Sequence, residues 1–491
     1  MKHHADVNAI KVKSICRKCV GEKFLSAEIL ASGKRRKCSY CKNTNKSYSI
    51  EKLSERIETA FTYHYSRTSD QPTALQNLMI SDDESTYEFE RDGEQTTYAI
   101  MNAADIPENA AIDVQIILED KYSDFESDKL NIETEFSSDA YYTKKGTRDD
   151  EWCEGWQSFE NSLKSEARFF NLEATTHLTN VFNEIETKST GDKQPLILGV
   201  GPGTNIDSVF RARVFQSEIK LKTALAYPDQ HLGPPPGPLA RAGRMNAHGI
   251  SVFYGATDSN TALAETRPPV GSRVLVAQFE IIRPLRLLDL TALGGVQSTG
   301  SIFDPEYIRR LEHEMFLRSL SERITRPVMP DDEALEYLAT QAVADFLSTG
   351  RRTTFDGIIY PSVQVAKTGK NIVLFNKSAR IEQTAKQNGA EISVRLGYFD
   401  EDGFVTDYAV TETTPHQYIE HSTRHDNNEL PSKILSEENN NSSLNHTDNR
   451  KPALRIIIDS INVHEIKCVS FETNKNSVLR HTNTIQKVLA F

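Results

Sequence analysis

Two cysteine pairs near the start of the chain constrain its folding most: Cys16-Arg-Lys-Cys19 and Cys38-Ser-Tyr-Cys41 are C-x2-C turns separated by eighteen residues. Two thiolates spaced by two residues can face one ion from a tight turn, and two such turns complete a tetrahedral shell with no open position. The spacing therefore predicts a structural zinc site with Cys16, Cys19, Cys38 and Cys41 as ligands, in a small module over residues 1–50. Reduced thiols that share this spacing by chance are the alternative. Six cysteines among 491 residues, with no apolar run after Met1, point to thiols or metal ligands rather than a disulfide framework.

A chain of this length exceeds one hydrophobic core, so several domains are expected. No stretch approaches 18 consecutive apolar residues, which predicts a cytoplasmic protein with no membrane partner. A net charge of -12 and a pI near 5.6 oppose general attraction to phosphate backbones, so nucleic acid is not an expected partner. The basic run Lys34-Arg35-Arg36-Lys37 could contact nucleic acid, but a solvated loop is the favoured reading. Acidic residues gather in 82–93 and 117–155, whereas Phe210 to Arg286 collects Arg211, Arg213, Arg241, Arg244, Arg267, Arg273, Arg283 and Arg286. That contrast points to a small anionic ligand held by one domain.

Residues 51–195 read as mainly helical, with the clearest 3.6-residue period through Phe159, Leu163, Phe170, Leu178 and Phe182. Asp82–Asp92 and Glu119–Asp128 read as exposed acidic loops, and a boundary is expected between 190 and 205. A mixed α and β domain should then run over 205–380. The extension 381–491 should contain a flexible polar insertion at 421–452, followed by one or two closing strands within Leu454–Phe471. The predicted class is α+β.

Within the main domain, Ile250 to Thr257 reads as a short buried strand. Asp258-Ser259-Asn260 then offers N-caps for a helix that Pro268-Pro269 must end. Glu265 falls in the last turn, where the helix dipole disfavours an anion by about 0.3–1 kcal/mol. Strands are expected at Arg273–Ile281, Leu285–Leu290, Gly357–Tyr360 and Asn371–Phe375. Helices are expected after Asp304-Pro305 and over Asp332–Leu347.

Successive blocks of this region resemble the RES domain: Phe210-Arg-Ala-Arg213, Gly243-Arg-Met-Asn246, Val252-Phe-Tyr254, Thr261-Ala-Leu-Ala-Glu265, Phe355 to Ser362, and Asn371 to Phe375. By block position, the arginine, glutamate and serine that name the family match Arg211, Glu265 and Ser362, and its recurrent tyrosine matches Tyr254. The residues in front are similar to a HEPN-like region found on a subset of RES proteins. The resemblance implies an ADP-ribosyltransferase-like fold and a bacterial toxin that uses NAD as substrate, splitting the nicotinamide glycosidic bond by hydrolysis or phosphorolysis. Phosphate or a protein side chain as acceptor, and a separate antitoxin as partner, are also implied.

The chemistry of that bond assigns roles. Its cleavage builds positive charge on the ribose, which a carboxylate such as Glu265 can stabilise while orienting a nucleophile. Arg211, supported by Arg244, suits the pyrophosphate through its planar fork of donors, although Arg213 lies equally close to the family block. Tyr254 could stack on nicotinamide and orient a ribose oxygen, and Ser362 could bond ribose or phosphate; each could instead be only structural. Two rival readings are protein ADP-ribosyl transfer and a zinc-dependent effector whose RES domain is inert and whose four-cysteine module, with Lys34 to Lys37, recruits nucleic acid or protein. Gly199-Val-Gly201-Pro-Gly203 departs from a dinucleotide fingerprint and reads as a linker. Arg168 and His177 are spaced too widely for a HEPN nuclease pair, and Cys153 and Cys468 read as structural.

Overall fold

The computed structural model describes residues 2–82, 85–123, 133–350, 354–365, 369–384, 390–414, 448–470 and 472–481. They divide into two compact units, the first of residues 1–196 and 290–326 and the second of 197–289 and 327–491.

In the first unit, local sequence explains the central helix, Ile50–His64. Ser49 caps it by accepting from Lys52 N at 3.3 Å, and Ile50, Leu53, Ile57, Ala60 and Phe61 recur at the spacing of one buried face. Fully burying each of Ile50, Leu53, Ile57 and Phe61 contributes about 1.5–3 kcal/mol. The same core takes in Ile15, Leu25 and Ile29 near the cysteines and Ile100, Val114 and Leu118 further along, so the cysteine module and the helical region share one interior. Strands β1 (Ser14–Cys16), β2 (Lys34–Lys37) and β3 (Thr44–Ser49) form a sheet in the order β1-β3-β2. The run Lys34 to Lys37 is thus an edge strand rather than a loop, because its backbone pairs with Thr44 to Ser47. A second small sheet joins β4 (Tyr65–Arg67), β5 (Glu94–Gln95) and β6 (Tyr141–Lys144). Of the stretch Glu119–Asp128, the first four residues end the helix Glu108–Tyr122, and 124–128 lie outside the described residues.

The second unit is built on a nine-stranded sheet, all antiparallel except for one parallel pair. Its strands are β7 (Ile197–Val200), β8 (Ser208–Phe215), β9 (Phe253–Ala256), β10 (Arg273–Ile281), β11 (Leu285–Asp289), β12 (Gly357–Pro361) and β13 (Lys370–Leu374). Two late strands, β16 (Leu454–Ile456) and β17 (Asn462–Glu465), complete it after the hairpin of β14 (Glu391–Asp400) and β15 (Gly403–Thr413). The order is β16-β10-β8-β9-β13-β12-β11-β7, with β17 also on β10, and only β11 and β12 run parallel. Val209, Phe253, Leu275, Phe279, Leu287, Ile359, Ile372 and Leu374 form the core on one sheet face.

Several expectations give way to the structure. Gly199 lies in β7, paired with Arg286 of β11, and is not a linker. Residues 290–326 belong to the first unit although they lie inside the range 205–380: the helix Tyr307–Thr325 buries Phe316, Leu317 and Leu320, with Trp152 stacked 5.7 Å from Phe316. The chain past 380 contains a regular hairpin, and both strands expected after Leu454 add to β10. Most of the 421–452 insertion, residues 421–447, lies outside the described residues. Phe170 is fully exposed and has no place in the helical core face. Cys468 is exposed, so it has no packing role.

Candidate active site

Glu265 ends the helix Ser259–Glu265, which begins where Asp258 accepts from Thr261 N at 2.8 Å and from its hydroxyl at 2.7 Å. The proline pair then stops the helix. Arg267 turns the chain with φ of 45°, a conformation that side-chain-bearing residues adopt at a cost. Its guanidinium clamps the amide oxygen of Gln364 at 2.9 and 3.2 Å, in the amide orientation that the hydrogen bonding requires. That clamp ties the helix end to the segment that follows Ser362.

Two donors converge on the Glu265 carboxylate. Ser362 Oγ donates to Oε1 at 2.6 Å and Asn371 Nδ2 donates to the same oxygen at 2.7 Å. Ser362 Oγ in turn accepts from the backbone N–H groups of Gln364 and Val365, so its proton is directed at the carboxylate. Among the described residues none donates to Oε2. Gly369 allows this closeness, since a Cβ there would lie 2.8 Å from Thr261 Oγ1 and 3.1 Å from Ser362 Cβ.

Strand register places the aromatic groups nearby. Tyr360 lies opposite Asn371, and Tyr254 opposite Val373, so Tyr254, Asn371 and Tyr360 occupy one sheet face. Burial, then Tyr254 and Glu265, drives the Tyr360 phenol well above its ordinary pKa. The Tyr254 hydroxyl is pushed up to about 12 by burial, against the pull of the Met245 N–H, Arg244 and Arg211. It donates to Asn246 Oδ1 at 2.8 Å and accepts from Met245 N at 3.0 Å. Its proton is thus committed to holding the 243–246 turn. Asn246, which is buried, also donates to the carbonyls of Arg241, Ala247 and Ile250. Gly243 is required there, because a Cβ would sit 2.8 Å from both the Tyr254 hydroxyl and Asn246 Oδ1. The turn presents Arg244, whose guanidinium stacks 4.9 Å from the Tyr337 ring and whose carbonyl accepts from Thr340 at 2.5 Å.

Arg211 stands apart from Glu265. By strand alternation it shares a side of β8 with Val209 and Phe215, and its guanidinium lies 4.8 Å from the Phe253 ring. Among the described residues its buried Nη1 has no hydrogen-bond partner. Burial and Arg213 lower its pKa to about 10, with Tyr254 opposing, so it remains a cation at neutral pH. Arg213, the competing candidate two residues on, is exposed and donates to the His231 carbonyl at 2.6 Å.

The sequence reading named Glu265 and Ser362 but missed Asn371, Tyr337 and Tyr360. A buried asparagine that opens the apolar run Asn371-Ile-Val-Leu-Phe375 was the available signal, since such a side chain needs a polar partner. Elsewhere, His177 lies stacked 5.4 Å from Phe159 while Arg168 is exposed on a turn, which gives no paired nuclease site.

The four cysteines of the first unit also come together. Their sulfurs all lie within 4.8 Å of one another, with Cys16–Cys19 at 3.8 Å, Cys16–Cys41 at 3.6 Å and Cys19–Cys38 at 3.8 Å. Thiolates about 2.3 Å from a tetrahedral centre would be about 3.8 Å apart, so the four could hold a metal ion.

Residues 209–396 match the family model of the RES domain, and residues 31–177 match that of HEPN/RES N-terminal domain 1. No curated protein and no solved structure matches the chain. Both resemblances are borne out: the chain carries a RES domain behind a HEPN/RES N-terminal domain.

Proposed function

We propose that the RES domain degrades NAD by cleaving the nicotinamide–ribose N-glycosidic bond, using hydrolysis or phosphorolysis, on an ADP-ribosyltransferase-like scaffold. The observation that carries this reading is the carboxylate of Glu265, held by Ser362 and Asn371 through one oxygen and open at the other. As the bond breaks, its electron pair passes to the nicotinamide nitrogen and positive charge develops at the ribose carbon. The open oxygen of Glu265 is free to stabilise that charge and to accept a proton from attacking water. With phosphate as nucleophile, a phosphate oxygen in place of the water oxygen forms the new bond to the ribose carbon, and no water is consumed.

The remaining groups suit the rest of the substrate. Arg211, with a donor left unpaired, is the cation for the pyrophosphate, and Arg244 on its Tyr254-anchored turn supports it. Tyr337 and Tyr360 offer aromatic surface for a flat ring. The four cysteines hold a structural zinc ion in this reading, supplying cross-linking of two turns and no chemistry.

The test is NAD turnover by the purified chain, with and without phosphate, with every product identified. Free nicotinamide accompanied by ADP-ribose indicates hydrolysis, and a phosphorylated ADP-ribose indicates phosphorolysis. Label retained on protein would replace this reading with ADP-ribosyl transfer, and NAD left intact by the folded chain would overturn it.

A further inference from the structure

The cysteine module carries charge opposite to that of the chain. Residues 1–50 contain twelve Lys and Arg against three Asp and Glu, whereas the whole chain has 57 against 69. Two of the three acids are already engaged. Glu22 accepts from Leu25 N at 2.7 Å as a helix cap, and Glu28 pairs with Arg56 at 3.0 Å and accepts from the Tyr48 hydroxyl at 3.0 Å.

The positive charge is concentrated on β2. It is an outer strand of its sheet, and Lys34, Arg35, Arg36 and Lys37 are all exposed. Among the described residues none of the four has an ion-pair partner. Register sets Arg35 opposite Lys46, a like-charged cross-strand pair that costs stability. Lys18 and Lys42 add exposed cations on the two cysteine turns. Protecting a sheet edge from aggregation needs a single lysine or so. Four consecutive cations spread over both strand faces, with a fifth opposite, exceed that need.

We propose that β2 and the two cysteine turns bind the phosphodiester backbone of a nucleic acid without reading its sequence. The aromatic residues of the module, Phe24, Tyr40 and Tyr48, are not exposed, so base stacking is not offered. An anionic bilayer fits less well, because firm membrane attachment needs an apolar anchor beside the basic patch, and β2 and the cysteine turns expose no apolar side chain. The acidic remainder of the chain confines the contact to this surface.

The test uses the full chain with its metal, labelled duplex DNA and labelled single-stranded RNA, and anisotropy titrations over a salt series. The wild type is expected to bind at least one probe, with log affinity falling linearly in log salt. Arg35→Gln/Lys37→Gln should weaken that binding by about tenfold or more at low salt and make the slope shallower by about two. Unchanged metal content and melting temperature would show that the variant is folded. Two results would each overturn the proposal: no binding of either probe by wild type at low salt, or equal binding by the folded variant. The arms are independent of NAD turnover, so this proposal and the catalytic one fail separately.

Discussion

The cysteine cluster and the Glu265 site solve opposite problems. Cys16, Cys19, Cys38 and Cys41 turn four sulfurs inward at 3.6–3.8 Å along the joined contacts, in an arrangement that one tetrahedral ion saturates. Around Glu265, by contrast, both donors crowd onto one carboxylate oxygen, and Arg211, which stands apart from it on β8, keeps a buried donor unpaired. A closed polar cluster stabilises a fold. An open one stores binding capacity, because an unpaired buried donor costs about 1–3 kcal/mol until something accepts from it. Polar pairing is thus complete at the cysteine cluster and left open at the Glu265 carboxylate and at Arg211.

Metal removal should give the largest effect. A strong chelator is expected to release one zinc ion per chain and to lower the melting temperature of the protein sharply, since apparent zinc affinities of such peptides reach about 10–16 kcal/mol. Metal analysis combined with calorimetry checks this, and a chain that melts unchanged without metal would break the contrast with the open site. Arg211→Met comes next. Losing a charge-assisted contact worth about 1.5–3 kcal/mol should lower kcat/KM for NAD by roughly 10- to 100-fold, with no fall in melting temperature, because the native guanidinium leaves a buried donor unsatisfied.

Asn371→Ala sharpens the comparison from the other side. Asn371 positions the carboxylate without touching the reacting bond, so about a tenfold loss in kcat with little change in KM is expected. Restoration by Asn371→Gln would be partial, and a pH–rate profile displaced in Asn371→Ala would separate carboxylate positioning from general loosening. Tyr254→Phe should give the smallest change: loss of the bonds to Asn246 and Met245 should lower stability by about 1–2 kcal/mol and raise KM through Arg244, which denaturant melts and steady-state kinetics would report.

What could be read from sequence follows the same division. The cysteine cluster is encoded by local spacing, and the Asp258 cap and proline stop locate Glu265 within one short segment. The partners of Glu265 come from 97 and 106 residues further along, and only strand pairing reveals that they meet on one oxygen. The strand Lys34–Lys37 was hidden because its charged side chains carry no alternation, while its partner β3 supplies the pairing. Likewise, the membership of residues 290–326 in the first unit depends on what the helix Tyr307–Thr325 buries, a long-range fact with no local signature. The choice between Arg211 and Arg213, open in the sequence, is informed by hydrogen bonding: one guanidinium is spent on a carbonyl and the other is not.

The most direct measurement pairs NAD affinity with nicotinamide release for wild type and Glu265→Gln. The substitution keeps the shape and removes the charge. The account predicts affinity within a few-fold of wild type, with release slowed by about 100-fold or more. Release at the wild-type rate by the folded Glu265→Gln chain would contradict it.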